Sequence, residues 1–144
     1  MTASWTIPGQ RWRLLAPADA VVVEVPSRPL AVGSTARRVR ALPAGSPVVL
    51  LDYRPGSRRT HRVAAASALT IDREYVALPS LRAAIVVVED SNDALRWACR
   101  SLVAPPPGST WAHGLVHTAV AVARRQPGLF ARLAAGRVAV GRTT

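Results

Sequence analysis

The sequence predicts a small three-layer α/β domain with a mostly parallel sheet. Two observations carry this: three short, unbroken apolar runs, and stretches of helical composition between them. The runs are Val21-Val22-Val23-Glu24-Val25, Val48-Val49-Leu50-Leu51-Asp52 and Ile85-Val86-Val87-Val88-Glu89. Continuous rather than alternating hydropathy is the pattern of strands covered on both faces. Strands alternating with helices imply parallel neighbours joined by right-handed crossovers. The chain has 144 residues, 49% of them hydrophobic, so one domain over 1–144 is expected.

Residues 1–10 read as a loose lead-in with a Pro8-Gly9 turn, and Arg11 to Leu15 as a short edge strand. After the first run, Ser34 to Leu42 is helical and stops before Pro43 and Gly45. Ser57 to Leu69 is an Ala- and Arg-rich helix, with Val63, Ala65, Ala66 and Leu69 expected on its inner side. Tyr75 to Leu78 is a weaker strand that ends at Pro79. Asp93 to Val103 is the clearest helix. Ser91 or Asn92 can cap it, Glu89, Asp90 and Asp93 suit its positive end, and Leu95, Ala98, Cys99 and Leu102 form its stripe, with Trp97 outside. Pro105-Pro106-Pro107-Gly108 ends it within the same domain. Two short helices, Ala112 to Arg125 and Leu129 to Ala135, and a last strand from Arg137 to Val140 complete a Rossmann-like order.

The net charge is +11, from 19 basic and 8 acidic residues, and every basic residue is arginine. An all-arginine chain rich in Ala, Val, Pro and Gly is what GC-rich coding produces, so an average charge argues less for a polyanion partner than a patch does. The single cysteine, Cys99, allows no intrachain disulfide, which suits a reducing compartment. No stretch approaches the ~20 apolar residues of a membrane span, and Leu14-Leu15-Ala16 is too short for a signal sequence, so a cytoplasmic protein is expected.

Glu24, Asp52 and Glu89 share one feature: each stands at the carboxyl end of an apolar run. In open parallel sheets ligands sit beyond those ends, so parallel neighbours would bring the three acids to one crevice able to hold ribose hydroxyls or a cationic group. Equally, charges mark where strands leave a core. The loop Glu24 to Gly33 has one glycine and two prolines, so it lacks the glycines and the backbone donors of a dinucleotide loop. Ser34 and Thr35 could form a weaker anion site at a helix start. Arg58, Arg59 and Arg62, with His61, form the densest basic cluster and the candidate anion site; Arg37, Arg38 and Arg40 form a second. No aromatic residue interleaves with either as a base-stacking platform would need. His113 and His117 are one helical turn apart but lack further ligands at metal spacing, so no metal site is expected.

Residues 48–89 read Val-Val-Leu-Leu-Asp-Tyr-Arg-Pro-Gly, then an Arg/Ala-rich helix, then Leu69-Thr-Ile-Asp-Arg-Glu-Tyr-Val-Ala-Leu-Pro79 and a hydrophobic strand. This order resembles the later part of class I S-adenosylmethionine-dependent methyltransferases, where a strand near an Arg-Pro-Gly-Gly turn precedes a helix and a strand carrying the substrate-side loop. The ending Arg137-Val-Ala-Val-Gly-Arg142 is similar to the final strand of such domains. The resemblance implies S-adenosylmethionine as cofactor, with Asp52 as a ribose-binding acid if its strand is the second. The departures are the absent glycine-rich loop, Ser57 in place of the turn's second glycine, and a length short of the whole fold.

Two functions follow as expectations. One is a methyltransferase-like domain, degenerate or completing a partner subunit. The other is a non-catalytic arginine-rich interaction module that binds an acidic protein or, less favoured, nucleic acid. A protein partner or a second copy fits either.

Overall fold

The fold is described for residues 8–28, 31–54, 58–78, 81–82, 86–101, 121, 125–126 and 136–144 of a computed structural model. The strands are β1 (Val21–Glu24), β2 (Pro47–Asp52), β3 (Leu69–Leu78), β4 (Val86–Glu89) and β5 (Arg137–Thr143), and the helices are α1 (Val32–Arg40), α2 (Arg59–Ser67) and α3 (Asn92–Ser101). A 3-10 helix, Pro8–Leu15, takes the place of the edge strand expected over 11–15. Its near-threefold period sets Trp12 and Leu15 on one side, and both pack against the sheet. The triple-proline joint, His113, His117 and the side chain of Cys99 lie outside the described residues, as do the helices expected over 112–125 and 129–135 apart from 121 and 125.

All three apolar runs are strands, but the sheet is not mostly parallel. Its order is β1-β2-β5-β3-β4, and only β1 and β2 pair in parallel; β2–β5, β5–β3 and β3–β4 are antiparallel. The Rossmann-like expectation is corrected to a mixed α/β sheet. The physical reason is burial. β2 has Val48, Val49, Leu50 and Leu51 all at 1% exposure or less, because helices cover one side and the 3-10 helix the other. Double coverage produces an unbroken apolar run whichever way the neighbour runs. The last strand then inserts between β2 and β3 and reverses the local direction.

The first crossover, β1–α1–β2, and the second, β2–α2–β3, lead the chain across the sheet in one sense. Crossovers of one hand therefore lay α1 and α2 side by side on one face. Their inner residues Val39, Val63 and Ala64 pack with Val23, Val48, Leu50 and Ala139. The opposite face buries Val49, Leu51, Tyr75, Ala77, Val138 and Val140 beneath Trp12 and Leu81.

α2 ends two residues earlier than its composition suggests. Its inner side is Thr60, Val63, Ala64 and Ser67, with Ala65 and Ala66 exposed, which corrects the expected stripe. Ala68 stops it in a left-handed conformation, φ 55°, and Leu69 already belongs to β3. For α3, Ser91 Oγ accepts from Ala94 N at 3.3 Å as expected of a cap. Leu95 and Ala98 are buried and Trp97 is exposed. Gly141 is required where β5 passes the irregularity between Ile71 and Arg73: a Cβ there would collide with the Thr70 carbonyl.

Candidate functional site

The three acids of the proposed rim do not converge. Register aligns Glu24 with Leu51, Val138, Tyr75 and Glu89 in one row across the sheet. Glu24 and Glu89 thus occupy the two edge strands, four inter-strand spacings apart, roughly 19 Å. Glu24 shares the face of Leu51, so its neighbour Asp52, one residue on, points to the opposite face. Glu24 accepts a hydrogen bond from the Tyr53 hydroxyl at 3.3 Å. Burial, and then the charge of Glu24, push the Tyr53 pKa above its ordinary value, while the Arg82 guanidinium lies 5.3 Å over the ring. Glu89 lies within electrostatic reach of Arg73 instead.

Asp52 is 1% exposed, at the end of β2 where the chain turns toward α2. Its Oδ1 accepts from Arg54 N at 3.1 Å, while its Oδ2 is buried without a hydrogen bond. Thr60, in the first turn of α2, is fully buried and its hydroxyl also lacks a partner. The Ser34 and Thr35 hydroxyls both donate back to Ala31 O, at 2.8 and 3.1 Å, which uses the groups an anion site would need.

This arrangement does not fit S-adenosylmethionine. Glu24 and Asp52 sit on opposite faces of the sheet, and Glu89 is on the far edge. The loop after β1 offers no glycine cradle. A cleft of about 490 Å³ opens on the 3-10 helix side, lined by Leu15, Pro17, Pro47, Arg73 and Arg142 among others, at the amino end of β2 and so away from Asp52. Among the described residues no group of three or more His, Cys, Asp or Glu can hold a metal ion.

The arginines, in contrast, come together. Residues 25–71 contain eight arginines (28, 37, 38, 40, 54, 58, 59 and 62) and a single acid, Asp52, which is buried. The two clusters seen in sequence lie on adjacent helices. Arg37, Arg38 and Arg40 are exposed on α1; Arg58 precedes α2, exposed like Arg62 within it. Two of the eight serve the scaffold. Arg59 donates to the carbonyls of Pro26 and Ser27 at 3.2 and 2.7 Å, tying the loop after β1 to α2. Arg40 donates to Ala66 O and so joins the far ends of both helices. Arg37, Arg38, Arg58 and Arg62 form no ion pair with a described acid. The sequence shows each cluster, but only the crossover geometry makes them one face.

One polar cluster has no local sequence signal. Arg137 at the start of β5 donates to Asp90 at 2.6 Å and lies 3.8 Å from Glu74, and His61 Nε2 lies 3.0 Å from Glu74. The Arg137 side chain is 11% exposed. These contacts pin α2, β3, β5 and the turn after β4 to one another. Their partners come from segments too far apart in the chain for spacing to reveal them.

Compared with protein-family models, with curated proteins and with solved structures, the chain matches none. No helix among the described residues is long and apolar enough to cross a membrane.

Proposed function

We propose that the chain works as a non-catalytic interaction module, its working surface being the outer face of α1 and α2. One observation carries the reading: the two arginine clusters lie on adjacent helices whose outer faces carry no exposed acid among the described residues. On the opposite face of the sheet the charges are mixed. On the 3-10 helix side, for example, Arg142 pairs with Asp72 at 3.6 Å. Coding bias accounts for the number of arginines; the reading rests on their grouping on two adjacent helices.

Methyl transfer by this chain alone is not supported, since its acids do not surround a common space. A role in completing a partner subunit, or a second copy, is favoured by β1. This short edge strand exposes Val21 and Val22 at 38% and 46%, and a further strand can pair with it.

The test of the interaction reading is location against net charge. Arg37→Gln, Arg38→Gln and Arg62→Gln together should move elution from heparin-agarose to much lower salt. Arg13→Gln, Arg73→Gln and Arg142→Gln, with the same charge loss on the 3-10 helix side, should elute close to wild type. Equal shifts for the two triple variants would refute the reading.

A further inference from the structure

We propose that the α1–α2 face binds the phosphate backbone of duplex nucleic acid without reading its sequence. This rests on that face being the working surface and commits it to one class of partner.

Three features select the partner. First, the outer residues of the two helices include no Phe, Tyr, Trp or bulky apolar side chain: between the arginines stand Gly33, Ser34, Ala41, Ala65, Ala66 and His61, whose ring is held by Glu74 at 3.0 Å. A protein interface takes most of its energy from buried aromatic or aliphatic anchors, and a membrane surface needs apolar residues that insert. Neither is present on this face. Single strands are held largely by stacking on Phe, Tyr or Trp rings, which the face also lacks. A duplex presents its bases stacked inside and its phosphates outside, so it asks only for charge.

Second, the residue type fits. The planar guanidinium donates two parallel N–H bonds to a phosphate, and arginine stays charged throughout the physiological range. Third, the dimensions fit. A nine-residue helix is about 13 Å long, and packed helices lie about 8–10 Å apart. Along one strand of a duplex, phosphates advance about 3.4 Å each, so the face spans about four of them. The hydrogen bonds of Arg40 and Arg59 tie the two helices and the loop after β1 together, which fixes the backbone that carries the other arginines.

The experiment is fluorescence anisotropy with a short mixed-sequence DNA duplex and the full chain, across a salt series. With Arg37, Arg38, Arg58 and Arg62 each neutralising one phosphate, the slope of log K against log salt is about −3.6, so affinity falls about 150-fold between about 50 and about 200 mM salt. Arg37→Gln, Arg38→Gln and Arg62→Gln together should reduce that fall to about fourfold. The Arg13→Gln, Arg73→Gln, Arg142→Gln variant should keep the wild-type slope, and scrambling the duplex sequence should leave the affinity unchanged. Circular dichroism checks that every variant folds. If poly-L-glutamate binds through the same arginines and the duplex does not, the nucleic-acid inference is overturned while the interaction reading stands. If neither probe binds, both fall. Preference for the single strand over the duplex would also overturn the inference.

Discussion

Replacing Thr60 with valine should make this protein more stable, although it removes a polar group. Thr60 is fully buried and its hydroxyl finds no hydrogen-bond partner. Burying an unpaired hydroxyl costs about 1–3 kcal/mol on mutational scales. Valine keeps the branched shape and nearly the same helix propensity, so the packing and the backbone term change little. The expected gain is about 1–2 kcal/mol. A domain of this size gains roughly 0.3 kcal/mol per kelvin of unfolding entropy, so Tm should rise by about 3–6 °C. The same helix supplies the control. Ser67 is also buried, but its hydroxyl donates to Val63 O at 2.7 Å. Ser67→Ala discards that bond and should cost up to about 1 kcal/mol, softened by the better helix propensity of alanine. Calorimetry or thermal circular dichroism reads both variants. A Tm for Thr60→Val that falls by several degrees would refute the reasoning, because the hydroxyl would then have a partner in the folded protein.

Gly141→Ala should destabilise by about 2–4 kcal/mol through backbone collision with the Thr70 carbonyl, visible as a lower urea midpoint; a neutral result would show that the β3–β5 crossing relaxes freely. Ala68→Gly should stabilise by about 0.5–1 kcal/mol, because Ala68 holds a left-handed φ of 55° that glycine adopts without strain. Tyr53 should ionise above pH 10.0 in the folded protein, owing to burial and Glu24. Its contribution to stability is then complete below the unfolded value and lost as pH rises through the folded one; tyrosinate absorbance follows this, and Tyr53→Phe should abolish the late transition. S-adenosylmethionine at millimolar concentration should leave Tm unchanged. A rise of several degrees would mean that this chain holds the cofactor unaided.

Part of the fold was legible because local chemistry announces it. The runs at 21–25 and 48–52 are strands in full or nearly so: β2 is covered on both faces, whereas β1 is an edge strand whose valines reflect β-propensity more than burial, since Val21 and Val22 are exposed. α3 starts at Asn92, one residue before the expected Asp93, with Ser91 as its cap. The end of α2 carries no local signal, because its left-handed stop is Ala68 and not glycine. The 3-10 helix over Pro8–Leu15 is not legible in the sequence, because two apolar contacts three residues apart carry little periodicity of either kind.

What the amino-acid sequence determined by itself is the set of buried segments, the arginine-only charge and the lack of a glycine-rich cofactor loop, all properties of consecutive residues. Strand direction was decided only by the tertiary structure, because burial on both faces leaves the same apolar signature in parallel and antiparallel neighbours. That choice separated Glu24, Asp52 and Glu89, which looked equivalent on paper. It also fused two modest arginine clusters into one face, because crossovers of one hand stack α1 and α2 on the same side of the sheet.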